Sequence, residues 1–343
     1  MLSQSLNRIM NTTAAAFQKV LDALLSEEKD FPRQYLQEFS DIGTDELNSL
    51  LETWPRIKPG RKLTLLEELD SLADADTLVS FDDLARALLK DSDPNVRVKA
   101  IRLLDESEDT KLVPVFLDML KNDSEANVRT EAANALNLFV DLGELEKIPE
   151  DTYHEIENAL LASANSEDDL RVRRASLESL GYSSRPEVAT LIESAFHRED
   201  PNWRASALIA MGRSADERWE DEVTSSLVSE DERVKRAAVQ SAGELSLQSA
   251  GPILIRLLEE GEDEDVVSAA VWSLSQIGGE DARTYIETLL DQTEDENQIE
   301  FLEEALDNLA FTEDLDRFEL LAVDPDAEIE ELEEIEEIEE EDE

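Results

Sequence analysis

One short motif recurs seven times along this chain of 343 residues, and it limits the possible folds more than any other feature. Each copy has an acid, two further residues, an apolar residue that we call the anchor, and then usually a base. Alanine usually stands four residues after the anchor, and Leu, Met or Ala stands four residues later again. The anchors are Val96, Val128, Val172, Trp203, Val234, Val266 and, with fewer matching neighbours, Phe301.

The spacing between successive anchors is typical of a helical repeat. The anchors lie 32, 44, 31, 31, 32 and 35 residues apart, and periods of this length are found in arrays of stacked helices. The anchor and the residues four and eight positions later share one helical face. A second apolar segment lies between successive motifs. Each period is therefore predicted to be two antiparallel helices, which bury their apolar faces only when stacked.

The polar positions of the motif fit the two ends of a helix. The acid is predicted to cap the N-terminus, where it accepts a backbone N–H and faces the positive end of the helix dipole. The residues at this position are Asp93, Glu125, Asp169, Asp200, Asp231, Asp263 and, in the seventh copy, Gln298. Pro94 and Pro201 follow at the first helical position, where proline is tolerated. Gly181, Gly212 and Gly243 are predicted to end their helices.

The segments DPNVRVKAIRLL, DPNWRASALIAMG and EDERVKRAAVQSAG resemble HEAT repeats. The resemblance is to the short variant, of about thirty residues, in phycobiliprotein-lyase-type HEAT proteins, and it covers roughly residues 76–311. It implies an all-α fold of the α-solenoid type, which is a right-handed superhelix of antiparallel helix pairs like those of HEAT and armadillo proteins. Proteins with such repeats commonly bind other proteins.

The chain is expected to have three regions. Residues 1–43 are predicted to form an N-terminal helical cap, and 44–322 a HEAT-like array of about eight helix pairs whose first pair is degenerate. The wide spacing before Val172 predicts a longer loop or a helical extension within 138–151. The segment 313–322 is predicted to be the last helix. The tail 323–343 is expected to be disordered, because its last twenty residues hold fourteen acids and no base.

Composition excludes several classes of site and partner. The chain has no cysteine, so disulfides, thiolate zinc sites and cysteine nucleophiles are excluded. No run of 18 apolar residues is present, so we expect no membrane span and a cytoplasmic location. The net charge of −54 repels nucleic acids and anionic lipids. That acidity fits either a solubility or salt-adapted surface, or the attraction of a basic protein partner.

Residues with catalytic potential are scarce. The chain has two histidines, His154 and His197, and neither has a second histidine at the spacing of a helical metal pair. The His154-Glu155 dipeptide matches the iron-binding dipeptide of deoxyhypusine hydroxylases, but those enzymes use several copies. No phosphate-binding glycine loop or nucleophile elbow is present. We therefore expect no catalytic activity, no cofactor and no metal.

A series of bases follows the anchors, and two interpretations fit it. The bases could form a ladder that binds anions, or each could pair with an acid of its own or a neighbouring copy. We favour the pairing, because an acid is available near each base. The series is Arg97, Arg129, Arg173, Arg204 and Lys235.

The positions two and six residues after each anchor are expected to face the concave side of the stack. Most of them are polar, whereas Ile209 and Trp272 are apolar, and Arg174 and Arg236 share these positions. These four are our candidate partner-binding residues, since Trp and Arg are frequent anchors of protein interfaces. Alternatively, the two apolar side chains pack against an adjacent helix.

Two functional hypotheses follow for the whole chain. The first is a scaffold or adaptor that binds a protein partner on the concave face and catalyses nothing. The net charge is compatible with a basic partner. The second is an accessory subunit of a chromophore-lyase-type or other modifying enzyme. Neither hypothesis fixes the oligomeric state, because helical repeats occur in many unrelated proteins.

Overall fold

A computed structural model of the chain describes residues 17–26, 30–261 and 263–323, with side chains up to Asp314. Within these ranges the chain forms α-helices and short 3-10 turns and contains no β-strand. The predicted all-α class is therefore confirmed. The chain divides into two compact units, unit 1 ending at Ser183 and unit 2 starting at Ser184.

Unit 1 contains ten α-helices within the described residues, and they follow one another with short connections. They are α1 (17–25), α2 (Thr44–Thr53), α3 (Pro59–Ala75), α4 (Asp82–Leu88), α5 (Pro94–Arg102), α6 (Val113–Asn122), α7 (Ala126–Ala135), α8 (Asn137–Glu144), α9 (Glu150–Ala164) and α10 (Leu170–Ser179). Helices α5, α7 and α10 pack side by side, and α6 and α9 cover the same row from one side.

Unit 2 contains eight α-helices in its described part, which alternate between two rows. They are α11 (Pro186–Phe196), α12 (Pro201–Arg213), α13 (Glu220–Ser226), α14 (Glu232–Glu244), α15 (Gly251–Glu260), α16 (Glu264–Ile277), α17 (Glu280–Gln292) and α18 (Glu296–Val323). Helices α12, α14, α16 and α18 pack in series, and each also packs on the helix that precedes it in the chain. This is the arrangement of stacked helix pairs that the repeat predicts.

The motif marks the helices that form the inner row of each unit, which we call the anchor helices: α5, α7, α10, α12, α14, α16 and α18. Six anchors are buried and Phe301 is half-buried. All seven residues four positions later are completely buried: Ala100, Ala132, Ser176, Ala207, Ala238, Ala270 and Ala305. The predicted apolar face is therefore the packing face, and its small residues let adjacent helices approach.

Most of the predicted N-caps are confirmed by hydrogen bonds. The carboxylates of Asp93, Asp169, Asp200, Asp231 and Asp263 each accept the backbone N–H two residues later. Two predictions are wrong. Glu125 makes no side-chain cap bond, since its longer side chain suits the cap geometry less well. Gln298 lies inside α18, and Asp295 instead accepts the N–H groups of Asn297 and Gln298.

Glycine at the ninth position after the anchor lies at a helix end, as predicted, but not in the left-handed conformation of a glycine cap. Gly212 and Gly243 are the last residues but one of α12 and α14, and Gly181 lies in the 3-10 turn that follows α10. A Cβ atom on Gly212 would stand 2.9 Å from Cα of Ser241, and one on Gly243 would stand 2.8 Å from Cα of Ser273. These two glycines are therefore needed because the next anchor helix approaches too closely for a side chain.

Serine hydroxyls at one position of the motif form hydrogen bonds between successive anchor helices. Ser179, Ser241 and Ser273 each lie seven residues after an anchor, and each is buried. Their hydroxyls donate to carbonyl oxygens five residues after the preceding anchor: those of Ala133 at 2.8 Å, Leu208 at 2.7 Å and Val239 at 2.8 Å. Each bond satisfies a buried hydroxyl that would otherwise destabilise the fold.

The wide period in unit 1 contains an additional helix. Helix α8 occupies Asn137–Glu144, within the segment predicted to hold an extended loop or a helical extension, and it packs on α9. A Cβ atom on Gly143 would collide with the ring of Tyr153. Of the two predicted alternatives, a longer loop or a helical extension, the helical extension is confirmed. Gly143 lets Tyr153 pack on this additional helix.

The two ends of the chain differ from the prediction or lie outside the described residues. Helix α18 runs without a break from Glu296 to Val323, so the predicted separate helix 313–322 is the C-terminal part of this longer helix. Residues 1–16 of the predicted cap and 324–343 of the predicted tail lie outside the described residues. Within the described part of the chain, no helix is both long and apolar enough to cross a membrane.

The close approach at Gly243 makes a prediction about stability. Gly to Ala in a helix normally stabilises it, by up to about 1 kcal/mol. Here we expect Gly243→Ala to lower the free energy of unfolding by about 1–3 kcal/mol, because the methyl group overpacks the contact with Ser273. Gly251→Ala in α15 is the matched control, since a Cβ there meets nothing within 4 Å. Denaturant unfolding of both variants checks this, and equal stability of the two would contradict it.

Candidate functional site

The candidate partner-binding residues all lie on anchor helices, but the two units divide them. Arg174 is half-buried on α10 of unit 1. Ile209, Arg236 and Trp272 are on α12, α14 and α16 of unit 2. Ile209 is half-buried, whereas Trp272 is 40% exposed.

Arg236 and Trp272 line a common groove between α14 and α16, with a volume of about 280 Å³. Helix α14 supplies one wall, which carries Arg236, Gln240 and Glu244 one turn apart from each other. Helix α16 supplies the other wall, which carries Trp272 and Gln276. The sequence analysis placed Arg236 and Trp272 on one face, and the structure brings these two together.

Trp272 differs from the other three tryptophans of the chain. Those three are buried, and a cation of this chain lies over each of their rings. The pairs are Lys62 over Trp54 at 4.9 Å, Arg198 over Trp203 at 4.0 Å and Arg218 over Trp219 at 5.5 Å from the ring centroid. Among the described residues no cation lies over Trp272, which presents its indole to solvent. An exposed tryptophan without a partner is a typical interface anchor.

Glu244 forms the floor of the groove beside Trp272. Its Oε1 accepts a hydrogen bond from Nε2 of Gln240 at 2.8 Å. Its Oε2 is buried against Gly212 and has no hydrogen-bond partner. Burial raises the pKa of Glu244, and the Gln240 bond and the positive charge of Arg213 oppose that rise. Because Oε2 is closed to solvent and lies against α12, it is not an acceptor that is open to the groove.

Arg236 already has a partner in unit 2. Its Nη1 donates to Oδ2 of Asp265 on α16 at 2.8 Å, and both side chains are more than half exposed. An exposed pair of this kind contributes little to stability. It does compensate the charge of Arg236 and holds the side chain at one end of the groove.

The groove also includes residues that the sequence analysis did not identify. Glu244 and Gln276 both lie ten residues after an anchor, and this register was not considered as a binding position. Phe311 has the same register on α18 and is 63% exposed. The sequence could have indicated these residues, because the positions six and ten residues after the anchor lie on adjacent turns of one helical face.

Two of the five bases in the series, Arg97 and Arg129, form ion pairs with acids of the next copy, which confirms the pairing interpretation for these two. Arg97 binds both carboxylate oxygens of Asp123, at 2.9 and 2.7 Å. Arg129 binds both oxygens of Asp168 in the same way, at 2.8 and 2.5 Å. The Arg129 bond holds the pKa of Asp168 below its usual range. These side chains join successive periods of unit 1, so they are not available to bind an anion.

His154 takes part in a polar cluster, and Glu155 does not. The Nδ1 of His154 lies 2.9 Å from Oε2 of Glu157, a completely buried carboxyl. Ser183 donates its hydroxyl to Oε1 of Glu157 at 2.5 Å. The bond to Glu157 raises the pKa of His154, and the nearby Glu150 adds to the rise. Glu155 lines a separate groove between α6 and α9, so the dipeptide does not converge on one point.

The described residues contain no group of three or more His, Asp or Glu side chains placed to hold a metal ion. The expectation that the chain is not an enzyme stays a prediction.

A comparison with protein families finds HEAT repeats in both units. The family model described as HEAT repeats matches residues 81–151 and 220–307. These two stretches of the chain are similar to HEAT repeats. Helices α4 to α8 lie within the first match, and α13 to α17 within the second. The stretch between the two matches holds α10 and α12, which carry the same motif with anchors at Val172 and Trp203.

Solved structures that are similar to this chain have low sequence identity. The Escherichia coli protein YibA is 15% identical with a TM-score of 0.41, over 83% of this chain and 99% of its own. The complex of CpcE and CpcF of phycocyanin lyase from Nostoc is 19% identical with a TM-score of 0.45, and the match covers 66% of this chain and 94% of the other. Human deoxyhypusine hydroxylase is 16% identical with a TM-score of 0.35, and the match covers 88% of this chain and 98% of the other. A comparison with curated proteins finds no match.

The His154–Glu157 contact predicts a pH-dependent contribution to stability. Since the folded-state pKa of His154 is raised, its stabilising effect is complete below the unfolded value of about 6.5 and is lost as pH rises through the folded value. We therefore expect the melting temperature of the wild type to exceed that of His154→Gln most at low pH. Thermal unfolding from pH 5 to 9 measures this. In a Glu157→Gln background the pH dependence of this difference should shrink to the smaller part that Glu150 supplies, and an unchanged pH dependence there would disprove the assignment to Glu157.

Proposed function

We propose that this protein is a scaffold or adaptor that binds a protein partner and has no catalytic activity of its own. The binding surface is the anchor-helix face of unit 2, centred on the groove of Arg236 and Trp272. Ile209 on α12 extends this face on the side away from α16.

The single observation that carries the proposal is the state of Trp272. The large aromatic side chain lies on a row of packed helices, is 40% exposed and lines a groove. Leaving an indole in water forgoes the hydrophobic free energy that burial of its large surface would supply. A bound partner would bury that surface, and the polar side chains around it would form the rim of the interface.

The rigidity of the anchor helices also supports a binding role. The walls of the groove belong to α14 and α16, which are joined by the Ser273 hydrogen bond and by the close contact at Gly243. A preformed surface loses little conformational entropy on binding, so more of the contact energy appears as affinity. The placement of Trp272 on a helix instead of a loop therefore favours specific recognition.

The proposal predicts that one exposed apolar side chain of unit 2 matters for binding and another does not. We expect Trp272→Ala to weaken the retention of a partner at least about tenfold, since tryptophan anchors carry a large share of interface free energy. Val228→Ala is the matched control, because Val228 is 63% exposed in the turn after α13, away from the groove. The full chain and both variants are immobilised, and proteins retained from an extract of the source cells are quantified by mass spectrometry.

Three outcomes bear on the proposal. Loss of a retained protein with Trp272→Ala but not with Val228→Ala supports it. Retention that is the same for all three chains contradicts it, because the groove would then not be the binding surface. An absence of any retained protein at physiological concentrations also contradicts it. Circular dichroism of each variant ensures that a lost helix stack is not mistaken for a lost contact.

A further inference from the structure

Two aromatic side chains are exposed on the anchor helices of unit 2. Trp272 on α16 is 40% exposed, and Phe311 on α18 is 63% exposed. In the described part of unit 2, the only other large apolar side chain that is exposed is Val228, which lies in the turn after α13. Exposed aromatic side chains on a helical surface are typical of an interaction site. We call Trp272 and Phe311 the aromatic pair.

Hydrogen bonds between α16 and α18 fix the relative level of the aromatic pair. Asn308 donates from Nδ2 to Oγ of Ser275 at 2.9 Å, and Thr312 donates its hydroxyl to the carbonyl oxygen of Ser275 at 3.2 Å. Ser275 is therefore level with the middle of the turn from Asn308 to Thr312. Since Trp272 precedes Ser275 by three residues, it lies about one turn before the level of Phe311 on the adjacent helix.

The two helices run in the same direction. A Cβ atom on Gly278, three residues after Ser275, would stand 3.6 Å from Cγ2 of Thr312. Later residues of α16 thus lie beside later residues of α18. The aromatic pair occupies positions six and ten residues after an anchor, which belong to one helical face. Both members are therefore presented on the same side of the row.

The spacing of the aromatic pair matches that of two side chains on an α-helix. Packed helices lie about 8–10 Å apart and one turn adds about 6 Å along the axis, so the two Cα atoms are about 10–12 Å apart. In an α-helix, residues seven positions apart lie on one face and about 10.5 Å from each other. In a β-strand, residues on one face lie about 6.6 or 13 Å apart, which fits less well.

The surface beside Phe311 is acidic. Between Glu296 and Asp314, α18 carries seven acids and no base. Glu303 and Asp307 lie two turns and one turn before Phe311 on the same helical face, and both are exposed. That stretch of α18 has no base to neutralise them. Such a face attracts Lys and Arg side chains of a partner and repels acidic ones.

The same charge argues against two other occupants of this face. A second copy of the chain carries a charge of −54, so it would bring further acids to an acidic surface. The C-terminal segment 324–343 has fourteen acids among its twenty residues, and it is repelled for the same reason. A partner helix with one apolar and one basic face instead satisfies both features of the surface.

We propose that the anchor-helix face formed by α16 and α18 binds an amphipathic helix of the protein partner. Two apolar side chains of that helix, seven residues apart, pack on Trp272 and Phe311, and its basic side chains lie beside Glu303 and Asp307. This inference rests on the proposed function and names the secondary structure and the chemistry of the partner segment. It extends the binding surface from the groove at Trp272 to α18.

Binding of synthetic helical peptides to the full chain, measured by fluorescence anisotropy, tests the inference. The first probe is a capped and stapled helix of alanine and lysine with about 18 residues, a length at which helices can be stable, and with two leucines seven positions apart. The second probe has the same composition with its leucines nine positions apart, which places them on opposite faces. The third probe has glutamate in place of every lysine.

We expect the first probe to bind at least about threefold more tightly than the second, and the third not to bind. Phe311→Ala should weaken binding of the first probe about threefold to tenfold, as loss of an aromatic anchor does. Asp307→Asn should weaken it about twofold, because the charge contact is exposed, and should reduce its salt dependence. Val228→Ala and Glu260→Gln alter exposed residues outside this face, so as matched controls they should bind like the wild type.

Several results would overturn the inference. Equal affinity of the first and second probes would show general attraction of a basic peptide instead of a site. No binding of the first probe would also overturn it, as would equal effects of Phe311→Ala and Val228→Ala when circular dichroism shows intact helices in both. If Trp272→Ala abolishes partner retention while Phe311→Ala changes neither retention nor probe binding, the proposed function stands and this inference fails. If retention does not depend on Trp272, the proposed function itself fails.

Discussion

The close contact between successive anchor helices determines the arrangement of the rest of unit 2. At Gly212 and Gly243 the next helix approaches so closely that a Cβ atom would meet its backbone, and Ser241 and Ser273 bond across the same two contacts. Residues ten positions after the anchor then fold back over the glycine of the preceding helix. Glu244 lies over Gly212 in this way, and the Oε1 of Gln276 lies over Gly243.

The groove follows from this contact. Gln276 turns back towards Gly243 of α14, and Trp272 lies one turn before it on α16. Arg236 lines the opposite wall from α14, two turns before Glu244. A side chain at position 243 would push α16 away from α14 and widen the groove. The same small residues that stabilise the stack therefore also set the dimensions of the candidate binding surface.

An acidic chain of this kind can fold because many of its acids are placed where negative charge is stabilising. Five aspartates cap anchor helices and accept backbone N–H groups there. Cap and neighbouring base together hold the pKa of Asp169 at about 2, so it stays ionised across the ordinary pH range. In unit 1, Asp123 and Asp168 bind arginines of the preceding period. Much of the remaining acidity is left at the surface.

Much of the fold could be predicted from the sequence because the same helix motif occurs seven times. A cap acid, an anchor and an alanine recur at fixed spacing, and chance does not produce such agreement. Where one residue type has two possible roles, the sequence alone could not decide. Glycine at the ninth position fits both a helix end and a close helix contact, and only the position of Ser241 or Ser273 distinguishes them. The continuity of α18 was missed because its apolar pattern weakens towards the acidic end.

The candidate site was less predictable, because it depends on contacts between periods. The sequence identified Trp272 and Arg236 by their register, but it could not show that Lys62, Arg198 and Arg218 cover the other tryptophans. Those pairs are separated by eight, five and one residues in the chain, so they share no common spacing. Likewise the burial of Glu157 against Ser183 joins residues with no motif in common. Such contacts become visible only when the helices are stacked.

Site-specific photo-crosslinking in the source cells tests most directly whether the groove is a protein-binding surface. The photoreactive residue benzoylphenylalanine is introduced in the full chain by Trp272→benzoylphenylalanine and, in a second chain, by Glu260→benzoylphenylalanine on α15. Our account predicts a crosslinked partner protein at position 272 and much less of it at position 260. The same proteins crosslinked with equal yield at both positions, or none at position 272, would contradict it.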